Sequence, residues 1–434
     1  MNDITRRRVL GGALSLAAGF TLQTVPGSAG AAGRGSDRVR LALPAPTGPY
    51  AVGTAALHLV DKTRQDPWLT VARPRELMVS LWYPSIGRGR TAPWMTAAAL
   101  ARYRPELTTF LNQPTGPDTG AGPKAAATQP VSLDTVDFPA THARSGGPVA
   151  PSLRPRPVIL FSPGFAFGRE HGTFVAEDLA SHGYVVVTIS HTYDAAEVEF
   201  PGGRVEIGRH DLDREPNRAM QIRRDDTRFV LDQLTRFNAG HGLSPRDTRV
   251  PAGLRGSLDL RRVGMFGHSL GGATTAQAMA NDARIGAGIN LDGSFFTDSG
   301  PDAGPDRTRQ ELVRLADRIG ARPFMIMASG GFGPDYFGDL TSVVWHNLRG
   351  WHRFLSITGS THYTYTDLLP LLTGLVRGRV IPEAPQVGVG LDPDHAVTAI
   401  RTYIRAFFDL WLHRRPTQLF DGASTRYPEV KFYS

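Results

Sequence analysis

The sequence predicts an α/β fold, a mostly parallel, doubly wound sheet flanked by helices. Two observations predict it. Short, continuous apolar runs bounded by proline or glycine alternate with stretches of helical spacing, and continuous rather than alternating runs suit strands covered on both faces. At the end of one such run stands a serine bracketed by glycines, and open sheets of this kind gather function at the carboxyl ends of their strands.

The chain has 434 residues, of which 41% are hydrophobic and 20% charged, enough to bury one large core. Residues 1–31 have the pattern of a signal peptide. Thr5-Arg6-Arg7-Arg8-Val9-Leu10 precedes a modest apolar run from Gly11 to Leu22, then Pro26 and the small residues Ala29-Gly30-Ala31. Paired arginines before a Gly/Ala-diluted run resemble a twin-arginine signal, which predicts export of the folded protein and a secreted, extracellular location. The run is too short and too weakly apolar for a comfortable membrane anchor. Residues 32–49 are expected to be a flexible linker and 50–434 a single catalytic domain, with a Pro/Gly-rich insertion at about 114–157.

Within that domain, Glu76 to Tyr83 is a predicted strand stopped by Pro84. Val158 to Ser162 is an apolar run followed by Gly164 and Gly168 and a helix around Phe174 to His182. Tyr184 to Ile189 is another strand, and Ile222, Phe229, Val230 and Leu234 mark a helix over 221–237. The later predicted strands are Val263 to Phe266, Ala287 to Leu291, Pro323 to Ala328 and Phe354 to Ile357. Ala97 to Tyr103 has the composition of a short surface helix near the entrance.

Composition removes several classes of chemistry. Cysteine is absent, which excludes disulfides, thiolate metal sites and a cysteine nucleophile. The formal charge of +8 arises from basic residues scattered among acids, the pattern of a solvated surface and not of a nucleic-acid interface. No H-E-x-x-H, no calcium loop and no G-x-G-x-x-G after a strand is present, so neither a metal nor a nucleotide cofactor is expected.

Gly267-His268-Ser269-Leu270-Gly271-Gly272 follows the strand Val263 to Phe266 and precedes the small-residue helix Ala273 to Ala280. G-x-S-x-G in a strand–turn–helix setting is a nucleophile elbow, where glycines permit a turn too tight for side chains and Ser269 is pushed into the cleft. A serine hydroxyl needs a base to take its proton. His362 stands where a base is needed, in the loop Gly359-Ser360-Thr361-His362 beyond a late strand; His182, His352, His395 and His413 lie elsewhere and read as surface or packing residues. His268 is expected to help local packing, and His191, beyond its strand, to line the substrate pocket. Two aspartates qualify as the acid that orients the base: Asp292 at the end of the strand Ala287 to Leu291, and Asp335 in the Gly-rich loop after Phe324 to Ala328. Phe165, Phe167, Phe295 and Phe296 are candidates for an acyl pocket.

These residues, with His58-Leu59-Val60-Asp61, Arg64, Asp66-Pro67-Trp68, Arg75-Glu76-Leu77, Phe161-Ser162-Pro163-Gly164 and Asp178 to Gly183, resemble the plasma-type platelet-activating-factor acetylhydrolases and related bacterial secreted lipases and esterases of the α/β-hydrolase superfamily. The resemblance implies Asp292 as the acid, and the backbone N–H groups of Leu270 and Phe165 as the oxyanion hole. The family usually has histidine where this chain has Pro163, which bears on the shape of that turn. It further implies a serine ester hydrolase for short acyl groups, such as the sn-2 acetyl of phospholipids, acting through an acyl-enzyme without a cofactor. A small-molecule or lipid ester is the expected partner, with transient contact with lipid surfaces and no nucleic acid. A true lipase or an acyltransferase would share every motif, and a binding module would generally have lost the serine or histidine. The sequence does not fix oligomeric state.

Overall fold

The computed structural model describes residues 38–113, 130–209, 216–243, 250–297, 304–330, 333–334 and 339–433. The proposed signal at 1–31, residues 114–129 and Asp335 lie outside them. In chain order the strands are β1 (Val39–Arg40), β2 (Ala51–Gln65), β3 (Pro74–Ser85), β4 (Thr91–Pro93), β5 (Val136–Asp137), β6 (Ala140–Ser145), β7 (Arg156–Ser162), β8 (Val185–Ser190), β9 (Glu197–Glu199), β10 (Val205–Ile207), β11 (Leu258–His268), β12 (Ile285–Leu291), β13 (Phe324–Ala328), β14 (His352–Ile357) and β15 (Val430–Tyr433). The helices are α1 (Ala97–Asn112), α2 (Thr173–Ser181), α3 (Pro216–Asn238), α4 (Leu270–Asn281), α5 (Pro305–Ile319), α6 (Asp339–Asn347), α7 (Leu368–Arg377) and α8 (Pro393–Leu412).

Eleven strands form one sheet in the order β15-β14-β13-β12-β11-β7-β8-β3-β2-β6-β4. From β8 through β7, β11, β12 and β13 to β14 every pairing is parallel, while β3 runs antiparallel to β8, β2 to β3, and β15 to β14. The central strands are the apolar runs of the sequence, because both of their faces are covered. On β7, Ile159 and Phe161 pack on one side with residues of α2, α7 and α8; Val158 and Leu160 pack on the other with α3, α4 and α5. Helix α5 shows how the sequence chooses a face: Pro305 opens it, and Leu312, Leu315, Ala316 and Ile319 recur at helical spacing as its buried stripe.

Two stretches differ from the sequence expectation. Within 32–49, β1 pairs with β5, Leu41 and Leu43 are buried, and Arg401 donates to the carbonyls of Pro44 and Ala45. Within 114–157, β6 joins the large sheet beside β2 and β4. The inward side chains of β6 are Thr141 and Ala143, too small and polar to leave an apolar period in the sequence. Helix α1 begins where a short helix was expected but runs to Asn112. No described helix is long and apolar enough to cross a membrane.

Candidate active site

Strand β11 ends on His268, and the chain turns within one residue into α4. Ser269 sits at that turn with φ 54° and ψ −122°, a backbone conformation that L residues rarely adopt and that persists only where its surroundings impose it. The surroundings are close. A Cβ at Gly267 would lie 2.1 Å from the Gly271 oxygen, and one at Gly271 would lie 1.9 Å from the Ser162 oxygen. The Ser269 N–H donates to Leu291 O at 2.8 Å, which ties the turn to β12. Leu270 is the first residue of α4, so its N–H belongs to the helix N-terminus, where amides lack intrahelical acceptors.

Beyond β12, Asp292 also has a positive φ, 52°. Its N–H donates to Met327 O at 2.8 Å, and the Asn290 side chain bonds both the N–H and the carbonyl of Gly293 at 2.8 Å, so the loop is fixed on either side of the carboxylate. His362 Nδ1 lies 2.7 Å from Asp292 Oδ2. Ser329 donates to the same carboxylate from its N–H at 2.7 Å and its Oγ at 3.0 Å. Burial pushes the Asp292 carboxyl up, but the hydrogen bond from His362, the charge of that histidine and the Ser329 N–H together hold it below the usual carboxylate range. The geometry therefore gives His362 an ionised acceptor on its Nδ1 side, which sets the tautomer with Nε2 as acceptor.

His362 opens a 3-10 turn, His362–Tyr365, fixed by reciprocal side-chain and backbone bonds between Thr361 and Thr364 and by a bond from Thr361 Oγ1 to Gln386 O. His268 contributes more than local packing: its Nε2 donates to the His362 carbonyl at 2.7 Å. Burial first, then the neighbouring His362, push His268 down to about 3, so it remains a neutral donor at any ordinary pH.

Phe165 lies in the turn beyond β7. A Cβ on Gly164 would meet His268 Nδ1 at 2.9 Å and Ser269 Cβ at 3.4 Å, so this turn passes directly beside the elbow and a side chain there would crowd His268. Phe165 and Phe296 pack around Leu270 and Ala273. Phe167 lines a narrow cleft of about 20 Å³, little more than one water, with Tyr103, Glu106, Leu107 and Phe110 of α1, Ala166, Tyr363 and Leu368. Burial pushes the Glu106 carboxyl up to about 7, offset in part by Arg102. Phe295 is a core residue, its ring tilted 45° to that of Phe324, and not a pocket residue.

His191 does not line a pocket either. It is fully buried, with Nε2 3.0 Å from Ser162 Oγ and Nδ1 3.0 Å from Asp226 Oδ2. This second serine–histidine–aspartate arrangement belongs to a buried charge network in which Asp226 also binds Arg75 and Arg64, and Arg75 binds Asp66. Arg223 stands beside it, paired with Asp194 and donating to the carbonyls of Pro163 and Gly164. The apolar period of α3 concealed these residues, yet Arg223, Asp226, Thr227 and Val230 share its buried stripe, and charges on an apolar stripe are themselves a signal.

A sheet of this order with a strained serine at the end of β11 and a histidine–aspartate pair beyond later strands defines an ester-cleaving α/β-hydrolase. Comparison with known proteins narrows the class. The sequence model of platelet-activating factor acetylhydrolase, isoform II, matches residues 213–309. A protein of Arthroderma benhamiae named a probable 1-alkyl-2-acetylglycerophosphocholine esterase is 28% identical over 407 residues, 90% of this chain and 93% of that one. The platelet-activating factor acetylhydrolase of Cavia porcellus is 29% identical over 275 residues, 59% of this chain and 57% of its own. The solved structure of a ferulic acid esterase from Streptomyces cinnamoneus superposes with a TM-score of 0.67 at 32% identity, covering 91% of this chain and 99% of the other. The chain is thus similar to the platelet-activating factor acetylhydrolases of isoform II type and to a ferulic acid esterase, all ester-cleaving hydrolases.

Proposed function

We propose that the protein is an exported serine esterase that cleaves short acyl esters through Ser269, His362 and Asp292. The observation that carries this reading is the 2.7 Å contact between His362 and Asp292, two elements away from a serine held at φ 54°. Ser269 Oγ attacks the ester carbonyl while His362 takes its proton, and Asp292 stabilises the imidazolium that forms. The N–H groups of Leu270 and Phe165 receive the oxyanion, the alcohol leaves with the proton from His362, and water repeats the sequence on the acyl-enzyme. The names of the fungal and mammalian relatives favour a short acyl group, the sn-2 acetyl of a phospholipid. Export rests on the paired Arg6 and Arg7. A second reading, aromatic acyl esters, is favoured by the ferulic acid esterase among similar structures.

One experiment tests these points together. The full chain is expressed in a host with a twin-arginine system, and the protein in the medium is assayed on acyl esters of graded length and on a feruloyl ester. The expected result is secreted protein beginning after Ala31, with rates that fall as the acyl chain lengthens. A maximum at long chains replaces the short-acyl reading with a lipase, a maximum on the feruloyl ester selects the aromatic reading, and retention inside the cell removes export.

A further inference from the structure

We propose that Arg223 is a positioning residue for the oxyanion donors, a guanidinium clamp behind the turn Pro163-Gly164-Phe165 that fixes where its N–H groups point. The proposal rests on the reading of the Phe165 N–H as an oxyanion donor. Arg223 is fully buried in α3. Its Nε donates to Asp194 Oδ2 at 2.7 Å and its Nη2 to Asp194 Oδ1, so the carboxylate holds one edge of the fork. The remaining donors go to the turn: Nη1 to Pro163 O, and Nη2 to Gly164 O at 3.1 Å.

A trans peptide is planar, and its N–H points opposite to its C=O. With the carbonyls of Pro163 and Gly164 drawn towards Arg223, the N–H groups of Gly164 and Phe165 are turned away from it. Gly164 itself lies against the elbow, since a Cβ there would be 3.4 Å from Ser269 Cβ. The clamp is itself anchored. Nη1 of Arg223 also lies 3.4 Å from Ser162 Oγ, at the end of β7. Lysine could not replace the fork: a single ammonium has three donors from one point, whereas these bonds leave a planar group in different directions.

Arg75 supplies an internal control. It is equally buried and paired with Asp66 and Asp226, but its backbone acceptor is Thr192 O and not a carbonyl of the turn. An arginine kept only for a buried ion pair would behave like Arg75; one kept for the oxyanion donors would not.

The test compares Arg223→Lys, Arg75→Lys and the charge-neutral double variant Arg223→Gln/Asp194→Asn in the mature protein. Measured are kcat and KM on a short-chain ester, the inhibition constant of a trifluoromethyl ketone as mimic of the tetrahedral anion, and the thermal midpoint. Both Arg223 variants are expected to lose about 10- to 100-fold in kcat, with KM little changed and the ketone weakened by a similar factor. Arg75→Lys is expected to lower the thermal midpoint while keeping kcat within about two-fold. Wild-type kcat in a folded Arg223 variant, or an equal kcat loss in Arg75→Lys, would assign Arg223 to the fold alone and overturn the proposal. Should Arg223→Lys not fold, the double variant, which removes both members of the Arg223–Asp194 pair, decides by the same measurements. Activity that survives Ser269→Ala would overturn instead the serine-esterase reading to which the Phe165 donor belongs.

Discussion

Asp292 concentrates three constraints in one residue: a positive φ, an N–H fixed to β13 and a carboxylate shared between His362 and Ser329. Asparagine has nearly the same shape but presents an amide N–H₂ or an uncharged oxygen to His362, so the imidazole loses both its tautomer and its counter-charge. Asp292→Asn is therefore expected to lower kcat by about 10³- to 10⁴-fold with the folded state retained. Steady-state kinetics beside a circular dichroism melt check this, and a loss under ten-fold would remove Asp292 from the mechanism. Ser269 and His362 stood out in the sequence because glycine spacing and a strand-end loop mark them. Asp292 meets His362 at 2.7 Å, while Asp335, the other aspartate open to sequence reasoning, lies outside the described residues. Ser329, Asn290 and Arg223 were silent, because a side chain that positions a loop by bonding to backbone needs no motif.

At the scale of elements, the elbow works because β11, α4 and the turn after β7 meet at backbone distance. Gly271 is the contact point, with no room between its Cα and the oxygens of Ser162 and Pro163. Gly271→Ala cannot be absorbed by rotating a side chain; α4 or the oxyanion turn has to move. We expect a stability cost of about 3 kcal/mol and loss of esterase activity out of proportion to it. Denaturant unfolding and initial rates measured on the folded fraction check this, and a variant with native rates would show that the turn tolerates displacement. The central strands were legible because burial on both faces writes a continuous apolar run, as in Val185 to Ile189. Strand β5 was not, because two residues leave no period, nor was β6, a near-edge strand made of Ala, Thr, His, Arg and Ser.

At the scale of the whole molecule, the buried network around Asp226 joins β2, β3, α3 and the strand ends beside β8. Burial pushes the Asp226 carboxyl up, but the Arg75 charge, the hydrogen bonds from His191 and Arg75 and the Arg64 charge hold it far below the usual range. A carboxyl whose pKa is depressed on folding contributes stability that is fully present above its unfolded value of about 4 and is lost as pH falls through the folded value. Asp226→Asn should thus be less stable by about 3–5 kcal/mol at neutral pH, since it leaves arginines buried without their partner, and the gap should narrow in acid. Denaturant titrations from neutral pH downwards check this; a gap that stays constant into strong acid would contradict it. The same network accounts for much of the motif set His58 to Glu76, whose charged members, Asp61, Arg64, Asp66 and Arg75, hold one another and Asp226.

All three scales converge on the serine at the end of β11. A fluorophosphonate probe forms a covalent bond only with a serine activated by a base and an oxyanion hole. Labelling followed by peptide mapping is the most direct measurement: the account predicts one adduct per chain, on Ser269, abolished in Ser269→Ala. Equal labelling of wild type and Ser269→Ala would contradict it.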